Sequence, residues 1–364
     1  MTKIVISGGH LTPAVALIEQ LISSEVQIIF FGRKYSMEGS RSLSAEYRLI
    51  SQAKIPFFAI NAGRLPRKLT KFSLLSIAKI PLGFFQSFIN LAIVRPKLVI
   101  SFGGYLSVPV IFSAWLLGID SITHEQAVIP GLATRINSLF VKKVFLSWPQ
   151  SAVHFEKGKI EIIGNPLRKT LFGENPKSNA IASFLKNPHK VIYITGGNQG
   201  SHFLNQLVFN NFSAFVPYRI VHQVGTANWQ GDWDQAKGIQ RKNYLACDFI
   251  DSQDVGAILD KAQVVIARAG ANTIWELAVF KKPAILIPLP VAASQEQFQN
   301  AKVLEEAGSA LILEQKEASA AKLRREIERI IANYAKFKKA ANNLALKLPQ
   351  DAASKLAKYI TRAL

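Results

Sequence analysis

Several features that would identify the functional class of the chain directly are absent or scarce, and cysteine is the first of them. Its 364 residues include one cysteine, Cys247, which excludes an intrachain disulfide framework and favours a reducing compartment. The residues Met1-Thr2-Lys3 lead directly into an apolar strand, without the layout of a signal peptide. No segment matches the P-loop or the dinucleotide-binding fingerprint, which argues against a kinase or a dehydrogenase. We therefore expect a cytosolic protein of another class.

Acidic residues are also scarce. The chain has 24 of them against 44 lysines and arginines, for a net charge of +20. Such an excess favours a polyanionic partner, which is a nucleic acid, an anionic lipid surface or a phosphate-rich substrate. Between Glu46 and Asp120 there is no acidic residue, and the basic residues there flank a very apolar segment. Basic residues beside leucines and aromatics indicate a membrane-surface element, whereas a nucleic-acid groove would be more polar.

The membrane-surface interpretation assigns ten contact residues. Because Lys79, Pro81 and Gly83 interrupt the apolar run, we do not expect a membrane-spanning helix. The alternative is a buried core helix with solvated basic flanks. The contact residues are Arg64, Arg67, Lys68, Lys71, Phe72, Leu75, Lys79, Phe84, Phe85 and Phe88.

Apolar runs followed by small-residue turns occur in two cycles along the chain. The first starts at residues 4–6 and the second at residues 191–194. Strands alternating with helices predict parallel, doubly wound sheets whose function lies at the strand carboxyl ends. The length also suits two domains better than one. We place the hinge between the cycles, from Gly164-Asn165-Pro166 to the polar stretch 173–179.

The stretch 264–301 predicts a nucleotide site. A buried strand ends at Ala267, the turn Arg268-Ala269-Gly270 follows, and a helix carrying Glu276 comes next. Backbone N–H groups at a helix start favour a phosphate. A carboxylate one turn further can bind the two ribose hydroxyls, as an acidic residue does in other nucleotide-binding folds.

Glycine-bearing turns follow three of the predicted strands. They are Ser7-Gly8-Gly9-His10, Phe102-Gly103-Gly104-Tyr105 and Thr195-Gly196-Gly197-Asn198-Gln199-Gly200. Glycine allows a tight turn and a close approach of backbone to ligand, although one such turn alone is weak evidence. Two turn systems in two domains indicate a cleft with one ligand on each side.

Seven motifs in this order resemble the MurG-type transferases over nearly the whole chain. They are Gly8-Gly9-His10 with Pro13-Ala14, Phe102-Gly103-Gly104-Tyr105-Leu106-Ser107 with Pro109, His124-Glu125-Gln126 with Gly131-Leu132, Gly164-Asn165-Pro166-Leu167-Arg168, Gly196-Gly197-Asn198-Gln199-Gly200, Arg268-Ala269-Gly270-Ala271 with Glu276, and Gln297 with Asn300-Ala301. The family adds N-acetylglucosamine to undecaprenyl-pyrophosphoryl-MurNAc-pentapeptide. The resemblance implies a two-domain GT-B fold, an inverting mechanism without a bound metal or other cofactor, and an N-terminal domain associated with the membrane.

The resemblance also implies a UDP-GlcNAc site on the second domain. Glu276 would bind the ribose hydroxyls, the Ile250 backbone would read the uracil edge, and Gln297 would contact the sugar. Arg168 and Arg268 would support the phosphates. The implied donor residues are Arg168, Asn198, Ile250, Arg268, Ala271, Asn272, Thr273, Glu276 and Gln297.

The first domain would hold the lipid-linked acceptor. His10 is the expected general base, since an imidazole near its free pKa suits proton abstraction at neutral pH, and Glu125 would assist or substitute. The alternative for His10 is structural, as a helix cap or a partner of a nearby carbonyl, and His124 is expected to be a packing or hydrogen-bonding residue. The implied acceptor residues are Ser7, Gly8, Gly9, Gly104, Tyr105 and Gln126.

One triplet points to a metal instead. Asp232-Trp233-Asp234 has the Asp-x-Asp spacing with which other glycosyltransferases hold a divalent cation, but it follows Gly225 in a polar stretch and we interpret it as a loop. No metal site is therefore predicted.

The sequence departs from the family pattern at four positions. Val5 and Ile6 replace two glycines, Ala127 replaces an asparagine, and Asn198 replaces a serine. The first three concern the acceptor side, so they leave two further functions open. These are a UDP-sugar-binding protein of the wall machinery with little activity, and a UDP-GlcNAc epimerase.

The sequence predicts three segments with different roles. Residues 1–163 form the acceptor- and membrane-binding domain, 164–340 the donor domain, and 341–364 a helical segment that crosses back to the first domain. We expect a peripheral protein at the cytoplasmic face of a bacterial plasma membrane, without a nucleic-acid partner.

Overall fold

The chain folds into two compact units. A computed structural model describes residues 1–22, 24–35, 43–63, 71–290 and 295–364, and only the backbone of residues 71–78. The first unit comprises residues 1–168 and 351–364, and the second comprises residues 169–350. Each unit contains one parallel sheet covered by helices, so the predicted doubly wound α/β architecture is confirmed.

The first unit contains a seven-stranded sheet in the order β3-β2-β1-β4-β5-β6-β7. Its central strands are continuous apolar runs because helices cover both faces of the sheet. The strand β5 extends through His124 and Glu125. The strands are β1 Thr2–Gly8, β2 Val26–Gly32, β3 Phe57–Ala59, β4 Leu98–Phe102, β5 Asp120–Glu125, β6 Lys143–Leu146 and β7 Ile160–Ile162.

The helices of this unit divide between the two faces of the sheet. On one face Ile4 packs with Leu17 of α1 and Leu356 of α14. On the other, Val5 packs with Leu91 of α3 and Val110 of α4. The helices are α1 Leu11–Leu21, α2 Ala45–Gln52, α3 Lys71–Val94, α4 Ser107–Leu116, α5 Leu132–Asn137 and α14 Ala352–Ala363.

The apolar segment of the first unit forms the single helix α3. Pro81 lies inside it, and the helix continues through both Pro81 and Gly83. A Cβ atom at Gly83 would lie 2.8 Å from the Ala62 Cα, so this glycine permits close packing rather than ending the helix. Within the described ranges of the chain, the structure contains no helix with the length and apolarity to cross a membrane.

The second unit contains a six-stranded parallel sheet in the order β10-β9-β8-β11-β12-β13. Its strands are β8 Val191–Thr195, β9 Arg219–Gln223, β10 Tyr244–Cys247, β11 Ala262–Ala267, β12 Ala284–Leu286 and β13 Ala310–Ile312. Its helices are α6 Asn179–Leu185, α7 His202–Phe209, α8 Asp232–Lys237, α9 Ser252–Lys261, α10 Ala271–Val279, α11 Glu296–Glu306, α12 Ala320–Ala332 and α13 Tyr334–Leu346. The carboxyl ends of β8, β9 and β11 bring the turns after them to one edge of the sheet.

Candidate active site

Two glycine turns of the first unit meet backbone to backbone. A Cβ atom at Gly9 would lie 2.5 Å from the Cα of Gly104, and Gly104 has a φ of +76°. Only glycine fits such an approach, because a side chain on either residue would separate the ends of β1 and β4. The predicted acceptor residues Gly8, Gly9 and Gly104 therefore lie together.

His10 lies beside these turns at the start of α1. It occupies the N-cap position, but its side chain makes no capping hydrogen bond, so the structure does not support the capping alternative. A Cβ atom at Gly103 would lie 3.5 Å from the His10 Cδ2, which places the ring against the second turn. Although the side chain is exposed, desolvation by the surrounding protein lowers its pKa to about 4. This pKa lies below the free value expected from the sequence and leaves the ring neutral at pH 7.

Glu125 holds the loop that follows β5. Its Oε1 accepts a hydrogen bond from the backbone N–H of Ala127 at 2.9 Å, and its Oε2 accepts one from Gly131 at 3.1 Å. The carboxylate is buried and fixes both ends of the segment 126–131. It anchors this loop, and a part in proton transfer stays a prediction.

His124 is buried, as the sequence suggested for a packing residue. Its Nε2 lies 3.0 Å from the backbone oxygen of Gly164, and its ring lies against Phe102. Burial lowers the pKa of His124 to about 4. The neutral ring joins β5 to the Gly164 turn.

Several residues predicted to lie on the acceptor side are buried in the first unit. Ser7 is fully buried, so its side chain is not exposed to a ligand, and its part in acceptor binding stays a prediction. Gln126 is also buried, and Tyr105 is half-buried. Val5 and Ile6 lie in the strand core and Ala127 is buried, so their side chains do not form a ligand-facing surface.

The second unit presents a glycine turn after β8. A Cβ atom at Gly200 would lie 1.9 Å from the Val224 oxygen, and one at Gly225 would lie 2.2 Å from the Gly200 Cα. The turn therefore packs directly on the segment after β9. Asn198 is exposed at this turn, and its backbone oxygen accepts hydrogen bonds from the N–H and the hydroxyl of Thr226.

The start of α10 has the form predicted for a phosphate site. Gly270 is its N-cap and supplies no side-chain hydrogen bond, so no cap side chain occupies the helix-start N–H groups. Ala271 is buried, while Asn272 and Thr273 are half-buried. Glu276, one turn further, is half-buried. Burial raises the pKa of Tyr193, and the negative charge of Glu276 adds to that rise.

Arg268 was expected to support the phosphates and is instead used inside the protein. Its Nε donates to the Ser201 hydroxyl at 3.0 Å, and its Nη2 donates to Gln315 at 2.8 Å. Its Nη1 donates to the backbone oxygens of Ile287 and Pro288. Burial lowers its pKa to about 10, which leaves it charged at neutral pH. Arg268 braces the N-cap of α7 against the segment after β12.

The remaining donor residues are divided between exposed and internal positions. Gln297 accepts a hydrogen bond from the Leu289 N–H at 3.0 Å, so its side-chain oxygen is already used by the loop that it follows. Ile250 is buried, and the adjacent Phe249 is exposed. Arg168 is half-buried, and the chain passes from the first unit to the second directly after it.

Sequence reasoning missed Gln223 and Asn300 as supports of the turns. Asn300 donates to the Ala269 oxygen at 3.2 Å, and its place in the motif with Gln297 was a usable signal. Gln223 receives hydrogen bonds from the hydroxyls of Tyr193 and Thr195. Nothing in the local sequence pattern singles out Gln223.

The Asp-x-Asp triplet begins the helix α8 rather than forming a loop. Asp232 is buried, and its carboxylate accepts hydrogen bonds from Asn205 and Gln206 and pairs with His202 at 2.8 Å. Asp234 is paired with Lys237, which lowers its pKa. In the described part of the chain, no three histidine, cysteine or acidic residues form a cluster suited to a metal.

The predicted membrane-contact residues differ in exposure. Phe85 and Phe88 are exposed, 64% and 39% respectively, whereas Phe84 is half-buried and packs edge-on against the half-buried Phe112. Lys79 is half-buried. Arg64, Arg67 and Lys68 lie outside the described residues, as do the side chains of Lys71, Phe72 and Leu75.

Further exposed apolar residues lie on the helices α3 and α4. The helices α3 and α4 pack together, and Phe112 of α4 also contacts Trp115, whose ring contacts Phe140. We define the α3–α4 apolar patch by its exposed members, which are Leu82, Phe85, Phe88, Ile89, Ile93, Trp115 and Leu116.

The chain is similar to known proteins over nearly its full length. It matches the glycosyltransferase family 28 N-terminal domain over residues 6–146 and the family 28 C-terminal domain over residues 191–357. A curated relative from Borrelia hermsii is 31% identical over 359 residues, covering 98% of this chain and 94% of the relative. Its name is UDP-N-acetylglucosamine--N-acetylmuramyl-(pentapeptide) pyrophosphoryl-undecaprenol N-acetylglucosamine transferase.

A second curated relative and a solved structure are also similar to this chain. A Treponema denticola protein of the same name is 33% identical over 319 residues, covering 84% of this chain and 81% of that protein. The crystal structure of Acinetobacter baumannii MurG matches with a TM-score of 0.73 and 23% identity, covering all of both chains. At that identity the structural match concerns the fold alone.

Proposed function

The chain belongs to the MurG-type transferases of glycosyltransferase family 28, and on this premise we propose the reaction that it catalyses. It is a glycosyltransferase whose two Rossmann-like units have the GT-B fold. It transfers N-acetylglucosamine from UDP-GlcNAc to the MurNAc 4-hydroxyl of undecaprenyl-pyrophosphoryl-MurNAc-pentapeptide in peptidoglycan synthesis. The names of the Borrelia and Treponema relatives support the donor and the acceptor.

The observation that carries the donor assignment is the start of α10. Its N-cap is Gly270, which has no side chain to occupy the helix start, and Glu276 follows one turn later. A diphosphate at the helix start accepts hydrogen bonds from the first N–H groups of the helix and is favoured by the helix dipole. The Glu276 carboxylate then accepts hydrogen bonds from the ribose hydroxyls.

The transfer breaks the bond between C1 of the sugar and the UDP oxygen. The acceptor hydroxyl oxygen attacks C1 from the opposite face, UDP leaves with the bonding electron pair, and the configuration inverts. His10 takes the hydroxyl proton, because its ring is neutral at pH 7 and makes no hydrogen bond among the described residues. Fixed backbone N–H groups stabilise the charge that develops on UDP.

The α3–α4 apolar patch is the proposed contact with the membrane that carries the lipid acceptor. Phe85 and Trp115 are exposed on it, and the sequence from 47 to 119 has basic but no acidic residues. An apolar surface with basic surroundings binds the interface of an anionic bilayer without crossing it. We therefore place the protein at the cytoplasmic face of the plasma membrane as a peripheral protein.

The other functions considered from the sequence are not favoured. Both curated relatives carry the transferase name over most of this chain. In addition, Val5, Ile6 and Ala127 are buried, so these departures do not remove ligand-facing side chains from the acceptor side.

UDP release in the presence of a short-chain lipid I analogue tests the proposal. We expect acceptor-dependent UDP release from UDP-GlcNAc, and a Glu276→Ala variant should bind the donor more than tenfold more weakly, or ~1.4 kcal/mol. Glu306→Ala, an exposed carboxylate on α11, is the matched control. Donor binding without acceptor-dependent release would contradict the transferase, and unchanged affinity in the Glu276 variant would contradict the donor site.

A further inference from the structure

We infer that Gln223 is a positioning residue that turns the N–H side of the Asn198 amide toward the donor diphosphate, an inference that rests on the proposed function. Gln223 lies at the end of β9, directly opposite Thr195 at the end of β8. Asn198 lies three residues after Thr195 in the exposed glycine turn. The serine usual in the family at that position is absent here.

Two hydroxyl groups converge on one atom of the Gln223 side chain. The Tyr193 hydroxyl lies 2.8 Å from Oε1, and the Thr195 hydroxyl lies 2.7 Å from the same atom. All three side chains are buried. Buried polar groups of this kind require partners within the protein.

The direction of these hydrogen bonds follows from the donors available. The Thr195 hydroxyl already accepts a hydrogen bond from the Gly197 N–H at 2.9 Å, so its own proton is available to donate. The buried Tyr193 phenol, which also hydrogen-bonds the Thr195 side chain, has Gln223 Oε1 as an acceptor at 2.8 Å. Two donors directed at one atom fix that atom as the amide oxygen.

The amide nitrogen of Gln223 must then face the glycine turn. Its Nε2 lies 3.5 Å from the Asn198 Oδ1, at the outer limit of a hydrogen bond, and this contact favours an inward oxygen at Asn198. The oxygen of Asn198 is thereby turned inward, and its Nδ2 is turned outward. Among the described residues, no protein acceptor is recorded for that Nδ2.

This orientation decides whether Asn198 attracts or repels a phosphate. The turn follows β8, which pairs with β11, the strand that precedes the α10 start where the diphosphate is proposed to bind. An outward N–H donates to a phosphate oxygen, whereas an outward carbonyl oxygen repels it. A serine hydroxyl rotates and needs no such control, but an asparagine has its donor and acceptor on opposite sides. The asparagine therefore makes Gln223 important for donor binding.

A double-mutant cycle tests this coupling by calorimetric titration of the full chain with UDP-GlcNAc. Gln223→Glu keeps the shape but offers only acceptor oxygens, which draw the Asn198 N–H inward and turn its oxygen outward. Asn198→Ser provides the matched background, because a hydroxyl reorients by rotation. The added negative charge is the same in both backgrounds and cancels in the cycle.

We expect Gln223→Glu to weaken UDP-GlcNAc binding at least tenfold in the original background and no more than about threefold in the Asn198→Ser background. Equal losses in the two backgrounds would overturn the inference while leaving the proposed function intact. Absence of UDP-GlcNAc binding by the unaltered chain would overturn both.

Thr195→Val provides a second route if the glutamate variant fails to fold. It removes one of the two donors that fix the Gln223 amide and introduces no charge. We expect a measurable loss of affinity with Asn198 and a smaller loss with Asn198→Ser. An equal loss in the two backgrounds would again contradict the coupling.

Discussion

Gly9 and Gly104 contact each other through their backbones, and a Cβ atom on Gly9 would lie 2.5 Å from the Cα of Gly104. The contact joins the turn after β1 to the turn after β4, and His10 is the next residue of the first turn. The catalytic histidine proposed here is therefore positioned by a contact that only glycines can make.

Gly104→Ala should destabilise the first unit because the new methyl group meets the Gly9 backbone and the φ of +76° is strained for alanine. We expect a loss of ~3 kcal/mol or more, combining strain with overpacking. Gly118→Ala separates the two causes, since its φ is +66° but nothing lies within 4 Å of its Cβ position. Scanning calorimetry of both variants measures the difference, and equal shifts in Tm would show that the backbone contact is unimportant.

His10→Ala should reduce turnover by a factor of ~10² or more, as expected for the loss of a general base. The pH dependence gives a sharper test. Because the pKa of His10 is lowered to about 4, the neutral ring persists from neutral pH down to about pH 5, and activity falls only below that range. His154→Ala, which changes an exposed histidine, is the control. An acid limb of kcat/KM near 6.5 that disappears with His10 would contradict the lowered pKa.

Arg268→Lys should destabilise the second unit even without ligand. One ammonium group cannot replace the guanidinium hydrogen bonds to Ser201, Gln315 and the backbone after β12. We expect a loss of ~2 kcal/mol, based on hydrogen bonds to charged groups. The exposed Arg324→Lys should change stability by less than ~0.5 kcal/mol. An unchanged Tm together with weaker UDP-GlcNAc binding would instead indicate a direct phosphate contact.

Phe85→Ser should weaken binding to vesicles that contain anionic phosphatidylglycerol. Phe85 is 64% exposed on the α3–α4 apolar patch, and burial of its ring at the bilayer interface contributes ~1–2 kcal/mol. The partition coefficient should therefore fall about 5- to 30-fold. Trp229→Ser, an exposed aromatic of the second unit, is the control. Equal losses in both variants in a sedimentation assay would contradict a membrane contact at the patch.

The sequence was sufficient for the central strands but not for every edge strand. The apolar runs at 4–6 and 191–194 predicted β1 and β8, because a strand covered on both faces is apolar throughout. The strands β3 and β13 have three residues each and did not stand out in the sequence. A short edge strand is defined by its neighbour in the sheet, which a local pattern does not contain.

The candidate site shows the same division between local and tertiary information. Strand–turn–helix patterns predicted the glycine turns and the start of α10. They did not predict that the Arg268 guanidinium would be used by Ser201 and Gln315, residues distant from it in the sequence. The sequence shows which side chains are polar. Their hydrogen-bond partners depend on which strands lie next to each other in the sheet, and the local sequence does not give that order.

The position of α14 has a consequence for synthesis on the ribosome. Leu356 and Ile360 are fully buried with Ile4 and Ile6 in the core of the first unit. The first strand of that core is translated more than three hundred residues before the helix that covers it. During this interval one apolar face of the nascent unit is covered by α1 but lacks α14 while the second unit is made. Residues 352–363 therefore act as the late closing element of a core that translation started with its first strand.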